Sequence, residues 1–155
     1  MTDFDSIDLR IRKTPQCRFG NGASDADIAR AESQLGVEIR GGYREFLRRF
    51  GWLRVAEDEE FEPFFVCGLG GPEEADVVRF TITERTEMSP ALPTTLIALH
   101  DTHDGDRFCL DTSTNSEGEP SVVLFTHDGK IFLLAPEEVD FASWLNMFLD
   151  DALGP

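Results

Sequence analysis

Apolar residues recur along this chain in two rhythms, one near every third or fourth position and one at every second. The helical rhythm opens at Ser24, where Ile28, Ala31 and Leu35 fall on one face. Ahead of them, Ser24-Asp25-Ala26-Asp27 offers an N-cap hydroxyl with a carboxylate three residues on, an approximate capping box. Gly36 supplies a left-handed stop. Tyr43, Phe46, Leu47 and Phe50 then repeat at i, i+3, i+4 and i+7, a second amphipathic helix that Gly51 ends. The short link between the two helices predicts a helical hairpin, with the aromatic stripe in the core. A last helix carries Phe141, Leu145, Phe148 and Ala152 on one stripe, with Trp144 and Leu149 beside it.

The two-residue rhythm governs most of what remains. Ile7, Leu9 and Ile11 alternate with Asp8 and Arg10, which predicts a short strand before Pro15 and Gly20-Asn21-Gly22. Residues 1–22 read as a lead-in to a single domain over 23–153. A strand starts at Trp52-Leu53-Arg54-Val55, is interrupted by Glu57-Asp58-Glu59-Glu60, and resumes at Phe64-Phe65-Val66-Cys67. Residues 73–87 fit both rhythms. Pro72 followed by Glu73, Glu74 and Asp76 favours a helix there, with Ala75, Val78 and Ile82 on its face. From Leu96 the runs are short and separated by turns: 96–99, 108–110, 122–125 and 131–134. Asp104-Gly105-Asp106 and His127-Asp128-Gly129-Lys130 make two of the turns, and a polar stretch over 112–120 makes the third. Helices, then strands, then a helix predict an α+β fold: a central antiparallel β-sheet flanked by helices, with an N-terminal helical hairpin and a C-terminal helix.

Composition sharpens this picture. The chain has 155 residues, enough for one core without staples. Three cysteines and no leading basic and apolar segment predict a reduced, cytoplasmic protein, and no apolar run is long enough to span a membrane. Charge is unevenly placed. Through Arg54 there are ten basic and eight acidic residues, a net of +2; beyond it there are four basic and twenty-two acidic, a net of −18. The second part repels nucleic acid and anionic lipid and attracts a basic protein. Arg44, Arg48 and Arg49 read as a solvated helix face.

Catalytic chemistry finds little support. His100-Asp101-Thr102-His103-Asp104-Gly105-Asp106 is dense in possible ligands, but a calcium loop ending on Asp111 would put His100 and Thr102 at its first and third positions. A zinc set of His100, His103, Cys109 and His127 lacks any paired-ligand motif. The stretch therefore reads as a turn with solvated acids, and neither metal nor cofactor is expected. Cys67 and Cys109 sit in apolar runs, where thiols are inert. Gly68-Leu69-Gly70-Gly71-Pro72 lacks the spacing and the Lys-Ser/Thr of a phosphate loop.

Several stretches together resemble the SUKH superfamily, most closely its Smi/Knr-type branch. They are Ala31-Glu32-Ser33-Gln34-Leu35-Gly36-Val37-Glu38-Ile39, Tyr43-Arg44-Glu45-Phe46-Leu47 and Phe50-Gly51-Trp52 in the first half. In the second half they are Leu96-Ile97-Ala98-Leu99, Gly105-Asp106-Arg107-Phe108-Cys109-Leu110-Asp111, Val122-Val123-Leu124-Phe125 and Phe141-Ala142-Ser143-Trp144-Leu145. Arg40 stands where the family has Pro, which should loosen the entry to the second helix. Phe50-Gly51-Trp52 replaces Asn-Gly-Gly, and Asp140 replaces a Ser. The resemblance implies a non-enzymatic immunity protein that binds and neutralises a cognate bacterial toxin domain, often a nuclease. It also implies, as the alternative, a regulatory or scaffold interaction module. An acidic protein suits a basic nuclease, since complementary charge raises both on-rate and specificity. The candidate contacts are Glu57, Asp58, Glu59, Glu60 and Glu62, with Asp101, Asp104 and Asp106 as a second patch.

Overall fold

A computed structural model describes residues 3–56, 62–116, 119–134 and 138–154. It opens with a helix, α1 (Phe4–Lys13), where alternation predicts a strand. Ile7 and Ile11 also stand at i and i+4, and both are buried, while Leu9 is 55% exposed. Local chemistry favours the helix. The Asp3 carboxylate caps it by accepting the Asp5 N–H, and Arg10, Arg12 and Lys13 occupy its negative last turn.

Three short strands follow in one antiparallel sheet: β1 (Cys17–Phe19), β2 (Leu53–Val55) and β3 (Phe64–Val66), in that order. The expected single interrupted strand is thus two strands lying side by side, with Leu53 opposite Val66. The acidic run falls in the connection between them. Between β1 and β2 lie α2 (Asp25–Leu35) and α3 (Gly42–Arg49). Ser24 and Asp27 complete the capping box on α2, and Gly36 closes it at φ 71°. At the entry to α3, which follows Arg40, the N-cap is Gly41, with no capping side chain of its own. The Glu119 carboxylate accepts the Gly42 N–H at 2.8 Å, so an anion holds the positive end of the helix.

Gly51 has φ 80°, and its carbonyl accepts the Leu69 N–H at 2.7 Å. A Cβ on Gly68 would stand 1.6 Å from that same carbonyl oxygen. Backbone meets backbone here, and only glycine fits.

Residues 73–87 are helical as expected, but displaced and rotated. A 3₁₀ turn over Glu73–Ala75 leads into α4 (Val77–Thr86), capped by the Asp76 carboxylate. Its buried face is Val77, Thr81 and Glu84, while Val78 and Ile82 are half-buried. The polar members of that face are satisfied. The Thr81 hydroxyl accepts the Ala98 N–H at 3.1 Å, and Glu84 accepts from Arg107 at 2.9 Å.

The remaining strands form a second antiparallel sheet in chain order: β4 (Leu96–Asp101), β5 (Arg107–Ser116), β6 (Glu119–Phe125) and β7 (Ile131–Leu133). β5 and β6 extend into the polar stretch, and Ser116 pairs with Glu119 across its tip. The two sheets are joined where the Cys67 N–H donates to the Leu99 carbonyl at 2.8 Å, beside an irregularity in β4. α5 (Phe141–Leu153) starts at Asp140, which accepts the Ser143 N–H and so replaces the family's Ser as a cap.

The main core gathers the stripes of α1, α2, α3 and α5. Tyr43, Phe46, Phe50 and Phe141 are fully buried, and Phe141 meets the rings of Tyr43 and Phe46 edge-on. The Tyr43 hydroxyl donates to the Cys67 carbonyl at 2.7 Å. A smaller core joins Leu92, Leu96, Ala98, Cys109, Val123 and Phe125, with Phe80 of α4 packed against it. Period-2 alternation separates the rows of the sheet: Phe108, Leu124 and Phe132 align in one, Cys109, Val123 and Leu133 in the next. Ile131, Phe132 and Leu133 are each at least half exposed, because β7 is a short edge strand rather than a buried one.

Candidate protein-interaction surface

Glu57, Asp58, Glu59 and Glu60 lie outside the described residues. The other four candidates divide by role. Glu62, just before β3, is exposed, and its carboxylate stands 3.6 Å from His103 Nδ1. Asp101 ends β4, and its carboxylate accepts the His103 N–H at 2.8 Å. His103 has φ 71°, a conformation that such a side-chain turn stabilises. Asp104 accepts the Thr102 hydroxyl, and this bond holds its carboxyl below the usual carboxylate range. Asp106 accepts the His127 N–H at 2.9 Å and so ties the β4–β5 turn to the β6–β7 turn. Asp104 and Asp106 therefore build turns. Glu62 and Asp101, from the two separate patches, meet at His103.

They meet at a cleft of about 750 Å³. Glu62, Asp101, Glu73 and Glu74 line it, together with Arg54, Arg79, His103 and the rings of Phe65 and Phe80. Arg79 is held by Glu73 at 3.0 Å. His100 forms part of its wall and is itself buried. Its Nδ1–H donates to the Phe65 carbonyl at 2.8 Å, since a carbonyl can only accept. Burial holds the imidazole pKa below its ordinary value, more strongly than the Phe65 carbonyl raises it. A ring cluster surrounds it: Phe148 at 5.0 Å, Phe64 at 5.9 Å, Phe108 at 6.1 Å and Trp144 at 6.4 Å between centroids.

Burial pushes the Cys17 thiol up to about 11 and the Cys67 thiol to about 12, and raises Cys109 as well. All three stay protonated at neutral pH, which is poor for a nucleophile or a metal ligand. Among the described residues no three His, Cys, Asp or Glu side chains converge as a metal site. No described helix is long and apolar enough to cross a membrane. Arg44, Arg48 and Arg49 are not merely solvated. They pair with Asp25, Asp5, Asp8 and Glu45.

The model of the SMI1 / KNR4 family (SUKH-1) matches residues 22–147. The chain belongs to the SMI1/KNR4 family. No curated protein matches it. The family match runs from Gly22 to Met147, so α1 precedes it and the last turns of α5 follow it. All of the cleft residues fall inside the match. Sequence reasoning missed the ring cluster around His100. Its one visible signal was the Phe64-Phe65 doublet, because adjacent strand side chains point to opposite faces and both cannot enter one core.

Proposed function

We propose that this SMI1/KNR4-family protein is a non-enzymatic, cytoplasmic immunity protein that binds and neutralises a cognate bacterial toxin domain. The partner is a basic nuclease, and the mechanism is occlusion of its phosphate-gripping face. One observation carries the reading. Beyond residue 54 the chain has only four cations, and all four are engaged internally. Arg79 pairs with Glu73, Arg107 with Glu84 and Lys130 with Asp128, and Arg85 donates to the carbonyls of Leu35, Thr94 and Leu96. Around the cleft, Glu62, Glu73, Glu74 and Asp101 outnumber Arg54 and Arg79, so the net field offered to a partner is negative. That field steers a basic domain and repels its nucleic-acid substrate alike.

The test is capture of binding partners from the native organism at low and at high salt. A single basic toxin domain, weakened at high salt, is the expected product. The triple variant Glu59→Lys, Glu60→Lys, Glu62→Lys should slow association and flatten the salt dependence. Recovery of endogenous regulators without any toxin would replace this reading with a Smi/Knr-type regulatory module.

A further inference from the structure

A second hollow, of about 260 Å³, opens between β3, strands β4 and β5, Leu134 and the end of α5. Its walls are mainly rings: Phe64, His100, Phe108, Trp144 and Phe148. One carboxylate, Asp151, stands among its lining residues. Asp150 next to it is held by Arg10 at 2.8 Å, whereas no described residue pairs with Asp151. Asp151 also lies in the last turn of α5, which has no basic residue of its own; Arg10 of α1 reaches that end at Asp150 and the Gly154 carbonyl. Phe64 is 38% exposed and the adjoining Met147 46%, so the hollow is open to a partner.

We infer that this hollow takes an arginine side chain of the protein partner, its guanidinium on Asp151 and its stem along the aromatic wall. The inference rests on the proposal that the chain binds a basic protein. Three features converge on that occupant. The volume suits one long side chain. Aromatic walls favour a weakly hydrated planar cation and the methylene stem behind it. A free carboxylate at a helix C-terminus gives the guanidinium fork its partner, where lysine offers only a point charge. Asp151 lies beyond the family match, which ends at residue 147.

The probes are tetra-arginine and tetra-lysine peptides of equal charge, titrated into 15N-labelled full-length protein. Trp144 lines the hollow, and Trp52 serves as the remote control. Tetra-arginine should bind at least about fivefold tighter than tetra-lysine and move the Trp144 indole resonance selectively. Asp151→Asn and Phe64→Ala, both at exposed positions, should each remove most of that preference while leaving the rest of the spectrum in place. Equal affinity for the two peptides, or a preference unchanged in Asp151→Asn, overturns the inference and leaves only the general field. The toxin separates the two proposals. If it binds both variants as tightly as the parent, the arginine pocket is refuted and the immunity reading stands. If no toxin binds the parent but the peptide preference persists, the pocket stands and the immunity reading falls.

Discussion

The first 54 residues and the rest of the chain use the same ionic chemistry to opposite ends. In the first part, cations and anions nearly balance and lock elements together. Arg49 reaches from α3 to Asp5 and Asp8 of α1, and its guanidinium lies 5.2 Å from the Phe4 ring. Arg12 pairs with Asp8 and lies over the Phe50 ring at 4.7 Å. Arg10 carries α1 onto Asp150 of α5. Beyond residue 54, four cations cannot neutralise twenty-two acids. Several of the described acids cap helices or build turns, among them Asp76, Asp104, Asp106, Glu119 and Asp140, and the net charge there stays strongly negative. Charge thus holds the N-terminal part together, and it advertises the remainder.

The sharpest way to break this contrast is its one exception. Glu84 and Arg107 form a pair in which each side chain is only 10% exposed. Glu84→Ala should cost about 3 kcal/mol in a urea melt, because Arg107 is then buried without its anion. Replacing both by Met should recover much of that loss, since the pair's attraction mainly offsets its own desolvation. A single variant as stable as the parent would mean that water reaches Arg107.

Arg49→Met tests the cohesive role of the N-terminal network. The loss should be about 1 kcal/mol, reduced by solvent screening, with faster amide exchange confined to α1. Unchanged exchange would assign the docking of α1 to Ile7 and Ile11 alone.

Acidification separates the two regions further. The His100 pKa is lower in the fold than in the unfolded chain, so the unfolded state binds the proton more readily. The neutral ring's contribution is complete above the unfolded value, near 6.5, and is lost as pH falls through the lower folded value. Asp101 and His103 act on the same ring in opposite directions, the first raising and the second lowering its pKa. Stability should therefore begin to fall below about pH 6.5, and His100→Asn should flatten that limb. Asp8, held down by Arg12 and Arg49 against the opposing effect of burial, and Asp27, held down by Ser24, act only lower. Their contributions are present above the unfolded carboxylate value of about 3.9 and vanish as pH falls through their depressed folded values. A pH profile identical in His100→Asn would remove the imidazole from the account.

The smallest effect belongs to Arg30, exposed and, among the described residues, paired with Asp27 three residues away. Arg30→Gln should leave the melt unchanged within error. A clear loss there would show that surface pairs matter even where they bridge no elements.

Much of the fold was legible because its signals are local. The capping box at Ser24, the aromatic stripe of α3, the stripe of α5 and the turn residues at 104–106 and 127–130 each act within a few residues of themselves. The site was legible only in outline. The −18 beyond Arg54 pointed to a basic partner. It could not tell turn-building acids such as Asp104 and Asp106 from acids at a cleft, because that difference lies in who donates hydrogen bonds to them. Trp144 and Phe148 are buried in the main core and, with Phe64 from β3, also border a hollow that no local pattern announces.

By itself, the sequence determined the α+β order, four of the five helices, the charge asymmetry and the family. These follow from periodicity, capping and composition, which need no knowledge of distant residues. The tertiary structure decided the rest. Ile7-Leu9-Ile11 satisfies both periods, and packing of Ile7 and Ile11 into the core selected the helix. The buried face of α4 is set by Ala98 and Arg107, from strands formed later in the chain. Glu62 and Asp101 share a cleft, and Asp151 stands beside Phe64, only because the sheets and α5 bring those segments together. Contacts between residues far apart along the chain carry no local pattern, so only the folded molecule could decide them.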